Sequence, residues 1–171
     1  ACGVSDGGNW EGSNILHRAV NGAEVSTEAR LKLRMLREQR IRPGLDDKVL
    51  TSWNGLAVAA FAEAGRYLQR EDYLQAAIAN ARFMYRELRA DDGRLLRTWK
   101  HGHGARYPAY LEDYAYLAEG LIDLYEAGAT ESYLHAAARL AEFLITDFMD
   151  QEQGGFFTTA KHHESLILRH R

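Results

Sequence analysis

Residues able to do chemistry gather in three short stretches. The first is Asp46-Asp47-Lys48-Val49-Leu50-Thr51-Ser52-Trp53-Asn54-Gly55-Leu56, where two acids precede a tryptophan and an asparagine at the start of an apolar run. A carboxylate placed at a cavity mouth can accept hydrogen bonds from sugar hydroxyls or act as a general base. Trp53 offers a flat face for the C–H patches of a sugar ring, and Asn54 can donate to and accept from one hydroxyl. Gly55 is a costly choice inside a helix, so it points to close approach by a ligand or a neighbouring helix. The plainer alternatives are a solvated acidic turn with Lys48 as counter-charge, Thr51 or Ser52 as an N-cap, and a Trp53 buried at a hairpin corner.

The second stretch is Tyr110-Leu111-Glu112-Asp113-Tyr114. On a helix Glu112 and Asp113 point about 100° apart, so only one faces a given ligand squarely. Carboxylates at a helix start also complement its dipole. Asp113 is the better candidate for a cavity, with Glu112 supporting it or capping the helix. Asp47 and Asp113 together could supply the two carboxylates of a glycosidase. Asp46, Trp53, Asn54, Glu112, Tyr114 and His103 complete the candidate substrate-binding set.

The third is Lys100-His101-Gly102-His103-Gly104, whose H-x-H lacks a third ligand at recognisable spacing, so no metal is expected. Tyr107 and Tyr110 either line a cavity or pack, and His162 and His163 read as surface residues. No cofactor is expected.

The elements that must position these groups are helical. Apolar spacing predicts helices over about 26–41, 52–69, 72–89, 110–127 and 131–147. The predicted helix 72–89 shows the stripe of a half-buried helix at Tyr73, Ala76, Ala77, Ala81, Met84 and Leu88. Thr130 is the predicted N-cap of the last one. A shift of about 60 residues lays the chain on itself: Tyr73 meets Tyr133, Ala76 and Ala77 meet Ala136 and Ala137, and Phe83 meets Phe143. "DDGRLLRT" then meets "EQGGFFTT" with one residue inserted. Backwards, Trp53 meets Asp113 and Asn54 meets Tyr114, which predicts that these residues share one rim. Each unit is a helical hairpin followed by a glycine-containing turn and a short extended segment. Hairpins of this kind bury their faces by stacking, and the long link 90–109 suits an (α/α) toroid better than a tight solenoid.

Composition narrows the classes. With 171 residues, 46% hydrophobic, 26% charged and a net charge of −3, the chain suits a globular protein and gives no reason to expect nucleic acid. Arg30, Lys32, Arg34, Arg37, Arg40 and Arg42 make a basic face on the first helix, without the aromatic interleaving of a nucleic-acid surface. Arg37, Arg40 or Arg42 are expected to pair with Asp46 or Asp47. No run approaches the roughly 20 apolar residues of a membrane span, and a cytoplasmic setting is the expectation. The single Cys2 excludes an internal disulfide. The start without methionine and the terminal "SLILRHR" suggest a fragment.

"RLKLRMLREQRIRPGLDDKVLTSWNGL", "YLEDYAYLAEGLIDLYEA", "FMDQEQGGFFTT" and the earlier "GNWEGSNIL" resemble the spermatogenesis-associated protein 20 (YyaL-like) family over nearly the whole chain. That resemblance implies a thioredoxin-like domain followed by a six-hairpin toroid of the glycosidase and N-acylglucosamine 2-epimerase type. Residues 1–171 match the middle of the toroid, so the fold expected is all-α, a partial (α/α)₆ toroid without the thioredoxin-like domain. The function expected is carbohydrate binding or processing. The alternative is a non-catalytic helical protein-interaction module. Asp47→Asn and Asp113→Asn are expected to abolish activity and leave the fold intact. Leu33, Met35 and Leu36 on one terminal helix, and Leu140, Phe143 and Leu144 on the other, are expected to face water and drive self-association.

Overall fold

Among the described residues, helical periodicity in the sequence closes into five α-helices, and the long link between the hairpins folds into a small sheet. The computed structural model describes residues 3–17, 24–163 and 168–170, so Cys2 and residues 165–167 of the terminal apolar run lie outside it. The chain divides into two units, Ala1–Leu45 and Asp46–Arg171.

In the first unit, Asn9 braces a loop: its amide group donates to the carbonyls of Gly3 and Ile15 and accepts from the Ile15 N–H. Helix α1 (Thr27–Glu38) follows, with Ser26 accepting from the Ala29 N–H as N-cap. None of its residues is buried, and Leu33, Met35 and Leu36 are exposed. Glu38 takes both Arg37 and Arg42 as ion-pair partners.

The second unit holds strand β1 (Val49–Leu50), helices α2 (Thr51–Tyr67) and α3 (Glu71–Glu87), strands β2 (Leu96–Lys100) and β3 (Gly104–Pro108), and helices α4 (Leu111–Glu126) and α5 (Ser132–Phe143). A π-helical turn, Leu144–Phe148, extends α5. Two helical hairpins, α2–α3 and α4–α5, pack so that α2 and α4 run in the same direction. Their starts meet where the Ser52 N–H reaches Asp113, and their ends meet at the Arg66–Glu126 ion pair. Gly55 and Gly120 allow this. A Cβ on Gly55 would stand 2.7 Å from the backbone of Tyr116 and Leu117, and one on Gly120 would stand 2.7 Å from the Gly55 carbonyl oxygen. The close approach that Gly55 signals is therefore a helix, and not a ligand.

Val58 and Ala62 of α2, Ala77, Ala81, Met84 and Leu88 from α3 and its cap, Leu117, Leu121 and Leu124 of α4, and Leu140 of α5 form one core. Burial follows the repeat at Ala77 and Ala137, while Ala76 is exposed and Ala136 buried. Leu140 is buried and Phe143 and Leu144 pack against the core, so these three do not form the exposed stripe expected of them. Phe143 is covered within the chain by Tyr114 of α4 and by Arg94 in the turn after α3. Thr130 does not cap α5; its hydroxyl bonds the Ser132 hydroxyl instead.

The sheet orders the link between the hairpins. β1 pairs antiparallel with β2 (Val49 opposite Trp99) and β2 with β3 (Thr98 opposite Arg106). Residues 46–50 are thereby laid along the β2–β3 hairpin, beside the starts of α2 and α4. The glycine-containing turns also repeat: an isolated bridge joins Arg89 to Leu95 and another joins Met149 to Phe156.

Candidate functional site

The starts of α2 and α4 share one end of the second unit, and Asp113 ties them together. A helix leaves its first N–H groups unpaired. In α2 neither Thr51 nor Ser52 supplies a cap, because the Thr51 hydroxyl donates to the Leu96 carbonyl. The Asp113 carboxylate does so from 61 residues away, accepting from the Ser52 N–H at 2.8 Å on one oxygen. Its other oxygen accepts from the Tyr110 N–H at 2.8 Å and from the Arg97 guanidinium at 3.2 Å. Asp113 is 0% exposed. Burial pushes its carboxyl above the ordinary value, against the pull of Tyr110, Arg97 and Ser52. A carboxylate so enclosed, with both oxygens engaged, positions other groups and does not meet a ligand.

Arg97, on β2, is the hub of this end. The same guanidinium nitrogen that reaches Asp113 also reaches Glu112 at 3.1 Å, and its carbon lies 4.2 Å from the centroid of the Tyr110 ring. Around it opens a cleft of about 540 Å³ lined by Asp46, Lys48, Arg97, Tyr107, Tyr110 and His163, with Leu50, Thr98 and Pro108 between them. His163 stands 5.4 Å from the Tyr110 ring, and its Nε2 lies 3.3 Å from the Ala109 carbonyl. Tyr107 has φ 64°, in the left-handed region that a bulky side chain occupies only under strain, and its ring is exposed at the cleft.

Of the residues named from sequence, Asp46 lines the cleft, paired with Lys48 at 3.1 Å. Asp47 pairs instead with Lys100 of β2 at 2.8 Å, and that contact holds its carboxyl below the ordinary range. Glu112 is exposed beside Arg97. Trp53 stands at the shared end and is 71% exposed, not buried at a corner. Asn54 turns its amide back onto the Leu50 carbonyl at 2.8 Å. His103 lies exposed at the β2–β3 turn. Tyr114 belongs to the core: its ring packs on Phe143 and Phe148, its hydroxyl accepts from the Leu95 N–H, and burial raises its pKa to about 12. Arg97, Lys48 and His163 were not singled out as cleft residues, and Tyr107 and Tyr110 were left open between lining and packing. Arg97 has no one-dimensional signal, since its partners begin 13 residues further on and become neighbours only through the sheet. Among the described residues no cluster of histidine, cysteine or carboxylate side chains could hold a metal.

The two carboxylates named as a catalytic pair should titrate in opposite directions from the ordinary value of 3.8. Asp47, lowered by Lys100, contributes stability above that value and loses it as pH falls. Asp113, raised by burial, contributes most below it and loses that contribution as pH rises through its higher pKa. Carboxyl-carbon NMR shifts followed through an acid titration will resolve the two. A common midpoint for both would mean that Lys100 and burial do not set the two carboxyls apart.

No family model matches the chain. It is 39% identical over 134 residues to spermatogenesis-associated protein 20 of Rattus norvegicus, and 37% identical over 134 residues to that of Homo sapiens. Each match covers 74% of this chain and 17% of the relative, so the chain spans about a sixth of their length. Among solved structures it is similar to a cellobiose 2-epimerase from Bacillus thermoamylovorans B4167, with TM-score 0.57 and 15% identity, covering 67% of this chain and 33% of the other. That likeness concerns the fold, and its two stacked hairpins are those of a partial α/α toroid. On the strength of the sequence matches, this chain belongs to the spermatogenesis-associated protein 20 family.

Proposed function

We propose that the cleft at the starts of α2 and α4 binds a carbohydrate, as part of a carbohydrate-processing toroid. The observation that carries this reading is Tyr107, whose strained backbone holds an aromatic ring at the cleft wall. Strain of this kind costs about 1–3 kcal/mol and persists where the surroundings enforce it, commonly at ligand sites. Tyr110 offers a second face, and Asp46, Arg97 and His163 provide polar groups for hydroxyls. The volume falls within the range of small-molecule sites. The resemblance in fold to a protein described as a cellobiose 2-epimerase supports the same substrate class by analogy.

In this reading Trp53 is an outlying platform, Asp46 and Glu112 accept from hydroxyls, and Asp47 is the carboxylate able to act as base. Asn54 and His103 flank the site. Asp113 acts on the ligand only by fixing Arg97 and the Tyr110 backbone. Calorimetric titration with cellobiose and N-acetylglucosamine tests this. Tyr107→Gly should weaken binding roughly fivefold, since a lost stacking face is worth about 1 kcal/mol and each 1.4 kcal/mol is tenfold. Glycine accepts φ 64° without penalty, so the same variant should be at least as stable as the parent. Unchanged affinity in Tyr107→Gly, or no saturable heat with any sugar, would overturn the assignment.

A second reading, a helical protein-interaction module, is favoured by the exposed Trp53, Leu56, Phe61, Tyr67 and Leu68 of the α2 hairpin. It leaves the strain at Tyr107 without a purpose.

A further inference from the structure

We infer that the groove between α3 and α5 binds a phosphate dianion, free or as the head of a small ester. This site is separate from the cleft. Its Thr130–Ser132 end opens beside the turn that follows α4, so the length of α4, about 24 Å for 16 residues, lies between that end and the cleft.

The groove has a volume of about 310 Å³, and Arg82 and Tyr85 of α3 face Thr130, Ser132 and Arg139 across it. It continues along α3 to Arg89, whose guanidinium lies 5.0 Å from the Tyr85 ring centroid. Arg139 also interacts with the Tyr85 phenol. Five other arginines of this unit are matched by acids: Arg66 with Glu126, Arg70 with Asp72, Arg86 with Glu87, Arg94 with Asp92 and Asp147, and Arg97 with Glu112 and Asp113. Among the described residues no carboxylate lies within ion-pair distance of Arg82, Arg89 or Arg139. The acids at the groove, Asp91 and Asp92, lie at its far end, and Asp92 is held by Arg94. Glu131, beside the opening, leans towards His135 at 3.7 Å.

Arg82 and Arg139, two like charges lining one groove without an acid partner, call for a counter-charge. The guanidinium fork matches phosphate oxygens in pairs. The Thr130 and Ser132 hydroxyls share a 2.6 Å hydrogen bond, which leaves one O–H of the pair free to donate into the groove. The first turn of α5 points its dipole at the same place and reinforces the preference for an anion. A phosphate dianion has more acceptor oxygens than a carboxylate, enough for both guanidinium groups and the free hydroxyl.

The experiment titrates the chain with sodium phosphate and, separately, with sodium chloride at matched ionic strength, following the amide signals of α5's first turn and of Arg82 and Arg139. We expect saturable shifts centred on those residues in phosphate alone. Arg82→Gln and Arg139→Gln should each weaken binding about tenfold, the usual loss of one charge-assisted hydrogen bond. Both side chains are exposed, so the thermal midpoints should stay near the parent's. A second arm with glucose 6-phosphate distinguishes the sources. Tighter binding than phosphate identifies an ester as the ligand, and equal or weaker binding identifies the free ion. The same response to chloride, shifts centred elsewhere, or undiminished affinity in both variants would overturn the site.

Discussion

Asp113→Ala will lower the stability of the fold by about 3 kcal/mol, and Asp113→Asn will not be silent. Removing the carboxylate strands two backbone N–H groups at helix starts, Ser52 of α2 and Tyr110 ahead of α4. Each buried donor left without a partner costs about 1–3 kcal/mol, and losing an N-cap costs typically about 1. Arg97 keeps Glu112, so the guanidinium is not orphaned and adds little more. For a chain of this size each kcal/mol lowers the melting temperature by about 2–4 °C, giving a fall of roughly 10 °C.

The asparagine variant is the sharper test. Its amide oxygen can still accept from Ser52, but its nitrogen then meets the Tyr110 N–H and the Arg97 guanidinium, donor against donor. The expectation from sequence, a fold left intact by Asp113→Asn, is therefore corrected by the three donors around this side chain. Thermal and urea unfolding of both variants will check it. An Asp113→Asn protein within about 0.5 kcal/mol of the parent, the usual scatter of a neutral surface change, would refute the clamp.

Gly55→Ala and Gly120→Ala should each destabilise by about 2 kcal/mol or more, against the direction that helix propensity alone predicts. Alanine favours a helix over glycine by about 1 kcal/mol. Here the new methyl group meets backbone: Leu117 N and Tyr116 C at 2.7 Å from Gly55, and the Gly55 carbonyl oxygen at 2.7 Å from Gly120. Backbone inside a packed helix cannot swing aside, so α2 and α4 must separate, and overpacking of this kind costs about 1–3 kcal/mol and sometimes more. Separation also pulls Ser52 from Asp113, which compounds the loss. Because either substitution opens the same interface, the double variant should cost less than the sum of the two. Chemical denaturation of the two singles and the double settles it. A Gly55→Ala protein more stable than the parent would mean the contact yields at little cost.

Local pattern, repeated, is what the sequence alone determined. The spacing of Ala77, Ala81, Met84 and Leu88 selects helix α3 and its buried side, because a helix turn is set by neighbours three and four residues apart. The shift that lays Tyr73 on Tyr133 identified successive hairpins, and with them the end shared by Trp53 and Asp113. Family membership was legible for the same reason: motifs are contiguous. Contacts between distant residues were decided only by the tertiary structure. Of the neighbours Glu112 and Asp113, one is exposed and one fully enclosed, and that choice depends on how near α2 comes to α4. Two glycines set that distance to within the width of a methyl group. Tyr114 turned from candidate binder to core residue because Leu95, Phe143 and Phe148 close around it. Arg97 entered the site because the sheet folds β2 back over the start of α4. Charge pairing was reassigned in the same way: Asp47 took Lys100 and Asp46 took Lys48. A carboxylate's role follows from which donors reach it and whether water does. Those are properties of packing, and no spacing along the chain encodes them.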